Sequence, residues 1–222
     1  MCYTYIQRNG GFIMFKHFFT ALALTLCIIS ASVVITLNFR PLYYADIHHF
    51  NLAEETGFSE EMIRKNYDVL IDYNSVFYHG ELSFPDLPMS TEGRIHFIEV
   101  KNIFVFIQAV LLPVGFIGSL AGIFLLKKQK PVYLKLTSVL SLTIPAVLGL
   151  LIAANWDRFF VLFHKLFFNN DYWIFDETTD PVIRILPDGF FLHCALMILF
   201  LIILGSVICL FCYRRQISKY EG

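Results

Sequence analysis

The chain has 222 residues, 57% of them hydrophobic and 16% charged, with 17 Lys/Arg against 18 Asp/Glu and a net charge of −1. An ordinary soluble domain is about 45–50% apolar and about 25% charged, so this composition excludes a plain soluble globule and points to a membrane protein. The near-neutral balance excludes the basic footprint of a nucleic-acid binder, and Cys2, Cys27, Cys194, Cys209 and Cys212 all lie outside the long polar region, which excludes a disulfide framework.

Residues 1–13, MCYTYIQRNGGFI, show no periodicity and carry a Gly-Gly break. They are expected to be a non-structural extension ahead of Met14. The first span, 18–37, is long enough to cross a hydrocarbon core, which takes about 20 apolar residues. It passes directly into Asn38-Phe39-Arg40-Pro41, so it reads as an anchor rather than a cleaved signal peptide. In the 38–102 insert, Tyr43 and Tyr44 occupy the aromatic-belt position. His48 and His49 are adjacent and point in different directions, which argues against a metal pair. Ser59 to Tyr73 reads as an amphipathic helix, capped by Ser59, with Ile63, Tyr67, Leu70 and Ile71 as its apolar stripe. Ser75 to Phe84 alternates around His79-Gly80, the pattern of a short hairpin. Ser90 caps a helix that continues from about Thr91 into the second span, 103–126. His96 then stands about 10 Å above Ile103 at 1.5 Å per residue, with Glu92 at i−4 and Glu99 at i+3 on the same face.

Pro113 should kink the second span, and Gly115, Gly118 and Gly122 give it a small-residue face for close helix approach. A short connection with Lys127, Lys128, Lys130 and Lys135 leads to the third span, 136–154. The fourth is 190–213, and Arg214, Arg215 and Lys219 lie in the tail, 214–222. Cys209 and Cys212 form a CxxC by spacing, but inside an apolar helix they read as packing thiols. The Lys/Arg distribution places both termini in the cytoplasm and brings the 38–102 insert and the 155–189 loop to one outer face. The expected fold is an all-α membrane protein with four transmembrane helices and a mixed extracytoplasmic cap formed by those two segments.

Asn155 to Phe168 reads as a short interfacial helix. Phe159, Phe160, Phe163 and Phe167 would face lipid, with Asp157, Arg158, His164 and Lys165 near water. The loop beyond it mixes Asn169, Asn170, Asp171, Asp176, Asp180 and Arg184 with aromatic residues, which suits a partly dry site at headgroup level. Histidine exchanges protons near neutrality, and His96 and His164 come to one face on separate segments. The chain has no HExxH, glycine-rich phosphate loop, GxSxG or Ser-x-x-Lys pattern. Ser75, Ser83 and Ser90 lack an activating context, so for acyl transfer the nucleophile would belong to the substrate. The residues leave two other readings open: an accessory protein whose cap binds a partner, and a hydrolase using Ser83 or Ser90.

The order of these features resembles the bacterial lipoprotein intramolecular transacylase family. The resemblance runs from about Met14 to Cys212. It is carried by STEGRIHFIEVKNIF, with His96, Val100 and Lys101, and by FHKLFFNNDYWIFDETTDPVIRILPDGFF ahead of the last span. It implies a four-span protein of the bacterial cell membrane acting on diacylated lipoproteins. The sn-2 acyl chain of a diacylglyceryl cysteine would move to the α-amino group of that same cysteine, giving the lyso form. On this reading His96 is favoured as base, oriented by Glu92 or Glu99. His164 would donate to the leaving oxygen or stabilise the oxyanion, with the reverse assignment open. Lys101, Asn170 and Arg184 are candidates for stabilising charge, and Asp176 or Asp180 for orienting a histidine or meeting the amine. Acyl migration requires no cofactor or metal, and the expected partners are diacylated lipoproteins and membrane lipid, not nucleic acid.

Overall fold

The computed structural model describes residues Cys2–Glu221, with side chains described for 11–143 and 145–220. The described residues are helical or irregular, without strands. The helices are α1 (Cys2–Asn38), α2 (Arg40–His49), α3 (Leu52–Thr56), α4 (Glu60–Tyr73), α5 (Thr91–Phe106), α6 (Leu112–Leu125), α7 (Val132–Ala154), α8 (Trp156–Phe167) and α9 (Asp188–Glu221). A π turn, Ile107–Leu111, joins α5 to α6, and a 3-10 turn, Pro181–Ile185, precedes α9. Four stretches are long and apolar enough to cross a membrane: Gly11–Asn38, Thr91–Leu125, Val132–Ala154 and Asp188–Tyr220. The Gly10-Gly11 pair, read from sequence as a break, does not interrupt α1. Pro113 lacks an N–H for the carbonyl four residues back, and the π turn ends two residues before it, where such helices adjust their ladder.

The residues fall into two compact units. One takes α1 up to Val33, Val110–Leu150 and the chain from Ile198 onward. Small residues set its packing. A Cβ on Gly115 would lie 2.7 Å from the Cys27 backbone nitrogen, and one on Gly118 would lie 3.0 Å from the Ala23 Cβ. Close backbone approach of this kind is how helices associate where lipid removes the hydrophobic drive. The buried Ser206 hydroxyl donates to the Ser138 carbonyl at 2.8 Å. Cys209 and Cys212 are free thiols packed in the apolar cluster with Ala21 and Tyr133.

The other unit takes Val34–Ala109 and Leu151–Met197. Its core gathers Tyr43 and Ile47 of α2, the α4 stripe Ile63, Tyr67, Leu70 and Ile71, Val182 and Ile185 of the 3-10 turn, and Phe190 of α9. The Tyr43 and Tyr67 rings stack at 3.6 Å, and the Tyr43 hydroxyl donates to the Ile185 carbonyl at 2.7 Å. Ser59 caps α4 by accepting from the Met62 N–H at 3.2 Å.

The hairpin expected over Ser75 to Phe84 is absent, and the described residues of the cap are helical and irregular. The alternation has a different cause. Leu82 and Phe84 are buried while Glu81, Ser83 and Pro85 are exposed, so a single extended segment packs one side inward with no partner strand. Its start is held by side chains instead. Gln108 donates to the Asn74 carbonyl at 2.8 Å and accepts from the Val76 N–H at 3.3 Å, and the Lys101 ammonium donates to the Tyr78 carbonyl at 3.0 Å.

Candidate active site

Within the second unit α5 delivers His96. Ser90 caps this helix by accepting from the Gly93 N–H at 2.9 Å, and the Ser90 N–H itself donates to Asp180 Oδ1 at 2.8 Å. Asp180 is 3% exposed, and its other oxygen accepts from the Thr179 hydroxyl at 2.7 Å. The first turn of α5 is thereby tied to the segment before the 3-10 turn. His96 follows on the next turn and is 6% exposed. Its ring meets Phe168 edge-on at 4.8 Å and Phe175 at 5.5 Å. Its Nδ1 is buried without a hydrogen-bond partner.

Helix α8 delivers His164. Asn155 caps it by accepting from the Arg158 N–H at 2.8 Å. Trp156, Phe160 and His164 recur every four residues and so share one face. That face turns inward, contrary to the expectation of Phe160 towards lipid and His164 towards water. The Phe160 ring lies 4.2 Å from the His164 ring and 5.7 Å from Phe191. Leu162 and Leu166, on other faces, are exposed. Trp173, which the sequence reading takes as an interface anchor, stacks on His164 at 4.7 Å with the planes 28° apart.

The two imidazoles lie side by side, with centroids 6.1 Å apart and planes at 33°. Phe168 touches both, 5.7 Å from His164. His164 Nδ1 is 2.8 Å from the Phe160 carbonyl oxygen. A carbonyl oxygen can only accept, so Nδ1 carries the proton and the neutral ring keeps its lone pair on Nε2. Burial pushes His164 below its ordinary value, partly offset by this hydrogen bond and by the charge of Asp188.

The supporting candidates divide. Asn170 Nδ2 donates to Glu99 Oε1 at 2.9 Å, so two of them meet. Glu92 is exposed, and among the described residues neither Glu92 nor Glu99 hydrogen-bonds His96, so the expected orienting contact is not formed. Both carboxylates lie on the predicted helix, but the aromatic packing of Phe168 and Phe175 holds the imidazole instead. Lys101 is taken up by the Tyr78 carbonyl and lies 4.1 Å over the Tyr73 ring. Arg184 donates to the Thr56 carbonyl at 2.8 Å, closing the end of α3. Asp176 caps its own turn, accepting from the Thr178 N–H at 2.8 Å, and the Thr178 hydroxyl and N–H hold its carboxyl below the usual range. Ser90 uses its hydroxyl as a helix cap, and Ser83 is exposed.

The sequence reading did not pair Asp46 with His193. Asp46 is buried, and its Oδ1 lies 2.8 Å from His193 Nδ1, with Phe50 stacked on that imidazole at 5.5 Å. Of the adjacent histidines, His48 faces Glu60 at 3.6 Å and His49 packs on Phe50. Among the described residues no group of three or more His, Cys, Asp or Glu side chains is placed to hold a metal.

A family model described as Lipoprotein intramolecular transacylase Lit matches residues 18–191. An in meso structure of the membrane integral lipoprotein intramolecular transacylase Lit from Bacillus cereus is similar to this chain at 39% identity, with a TM-score of 0.92, over 96% of this chain and 99% of that one. Two further structures of the B. cereus protein each carry one histidine substitution. The arginine variant is similar at 36% identity and TM-score 0.90, over 100% of this chain and 99% of that one. The alanine variant is similar at 38% identity and TM-score 0.88, over 97% and 98%. The comparison with curated proteins returned no match.

Proposed function

This chain belongs to the lipoprotein intramolecular transacylase family, and on that premise we propose that His164 is the general base of the transfer, with His96 stabilising the ester oxygen. The substrate is a lipoprotein whose N-terminal cysteine carries a diacylglyceryl group through a thioether. The cysteine nitrogen attacks the carbonyl carbon of the sn-2 ester. Amine and ester sit in one molecule, so attack gains from proximity once the substrate is folded on itself. The new C–N bond forms as a proton leaves nitrogen for His164 Nε2. The C–O bond then breaks, and the same imidazolium returns that proton to the departing glycerol oxygen. No net proton is gained or lost, and the product is the lyso form.

The observation that carries this reading is the His164 Nδ1 contact with the Phe160 carbonyl at 2.8 Å. It leaves Nε2 as an acceptor, the state a base must start from. His164 is also less enclosed than His96, which is 6% exposed. This reverses the assignment favoured from sequence. Trp173 and Phe160 hold the ring orientation by packing on it. His96 then stabilises the ester oxygen as it gains charge.

The Lys/Arg clusters at 127–135 and 214–219 support cytoplasmic termini and an extracytoplasmic site. The exposed Leu162, Leu166 and Phe167 of α8 support contact with membrane lipid.

The test is turnover of a synthetic diacylglyceryl-cysteinyl peptide by the purified protein, followed from pH 5.5 to 9. Transfer within one molecule leaves its mass unchanged, so tandem fragmentation must locate the chain. The expected product carries it on nitrogen. Because His164 is already neutral above its lowered value, the rate should rise with the substrate amine, whose ordinary pKa is about 8. A released fatty acid with no N-linked chain would refute the transfer, and a limb centred near 6.5 would refute the assignment of the base.

A further inference from the structure

We infer that Glu99 is the residue that receives the substrate's α-ammonium group. The inference rests on the reading above, that a free N-terminal cysteine is brought beside His96 and His164. Glu99 is three residues beyond His96 on α5, which places it on the adjoining helix face. Its Oε1 accepts from Asn170 Nδ2 at 2.9 Å. Asn170 is itself fixed, because its Oδ1 accepts from the Tyr172 N–H at 3.1 Å. One carboxylate oxygen is therefore anchored by a rigid neighbour on a different segment. The other, Oε2, is buried and has no hydrogen-bond partner.

A buried carboxylate oxygen without a donor is costly, and a native structure that keeps one has a use for it. The group that must come here supplies the missing donor. An α-amino group with an ordinary pKa of about 8 arrives mainly as ammonium at neutral pH, with three N–H bonds and a positive charge. A charge-assisted hydrogen bond to Oε2 would hold one N–H; one ammonium proton leaves to solvent before attack, and the neutral amine then passes a further proton to His164 Nε2 as the C–N bond forms. The same carboxylate favours the reaction beyond binding. As nitrogen attacks the ester it gains positive charge until its proton reaches His164, and a fixed negative charge beside it stabilises that stage. After transfer the nitrogen is an uncharged amide. The carboxylate then loses its ion pair, so product is held less tightly than substrate.

The experiment uses the full-length protein in nanodiscs and two unreactive lipopeptides whose sn-2 ester is replaced by an ether. One has a free cysteine amine and the other an N-acetylated cysteine. The intact protein should bind the free amine at least about tenfold more tightly at pH 6.5. Glu99→Gln keeps an oxygen for Asn170 but removes the charge, and it should bring the two affinities within a few-fold while leaving that of the N-acetyl compound unchanged. Retained discrimination in the variant, or none in the intact protein, overturns the inference. Should the variant fail to fold, the intact protein alone decides. Its preference should shrink between pH 6.5 and 9.5 as the amine loses its charge, and a constant preference overturns the proposal. Neither compound can react, so the outcome is independent of which histidine moves the proton. Failure of the catalytic assignment would show only in turnover.

Discussion

His164→Asn should lower turnover on the diacylglyceryl-cysteinyl peptide roughly 10³-fold, within the 10²–10⁴ range that general-base catalysis supplies. Asparagine is chosen because its amide can still donate to the Phe160 carbonyl, as Nδ1 does now at 2.8 Å. Only the Nε2 lone pair and part of the Trp173 stacking are removed. The protein should reach the membrane and melt within a few degrees of the original. The matched variant is His96→Gln, whose amide N–H can still reach an oxyanion, and its loss should be smaller than that of His164→Asn. Steady-state kinetics on the two purified variants checks the order. A larger loss in His96→Gln would return the base to His96.

The second large effect is at a residue with no chemistry. Gly93→Ala should cost about 1–3 kcal/mol, the usual penalty for forcing an added methyl group into a packed interior, and should also depress turnover. A Cβ at Gly93 would overlap Asp180 Oδ1 and come within 3.1 Å of Phe175 Cε1. Asp180 has little freedom to move, since its oxygens are held by the Ser90 N–H and the Thr179 hydroxyl. Displacing it leaves a buried carboxylate without partners, and an unmet buried hydrogen-bonding group adds a further penalty of about 1–3 kcal/mol, more for a charged one. Phe175 also packs on His96 at 5.5 Å and on Phe97 at 5.4 Å, so its shift loosens the imidazole. Thermal unfolding in detergent, read beside kcat, checks both effects. A variant with unchanged melting and turnover would show that Asp180 does not position α5.

How far the chain could be read before its structure was known depends on the range of the interaction. Local features were legible. Ser59, Ser90 and Asn155 announce helix starts through their short polar side chains, and each accepts from an N–H three residues on. The α4 stripe follows from period alone. Apolar length identified the stretches able to cross a membrane. The orientation of α8 was not legible, because apolar residues occupy more than one face. Composition does not separate Phe160, which packs on a catalytic candidate, from Leu166, which is exposed. The four-residue recurrence of Trp156, Phe160 and His164 was the available signal. The alternation at Glu81 to Pro85 was real but belongs to an extended segment without a partner. Contacts across long separations left no local trace. Asp46 meets His193 and Glu99 meets Asn170 only after folding, and neither pair has a spacing that announces it.

The claim on which the mechanism rests is that His164 keeps its proton on Nδ1 and offers Nε2. Nitrogen-15 NMR of the histidine-labelled protein in lipid, with His164→Asn used to assign the signal, reads the tautomer directly. The predicted result is an Nδ1–H neutral ring at pH 7 that gains a second proton only below the ordinary histidine range. A neutral ring protonated on Nε2, or an imidazolium at pH 7, would contradict it.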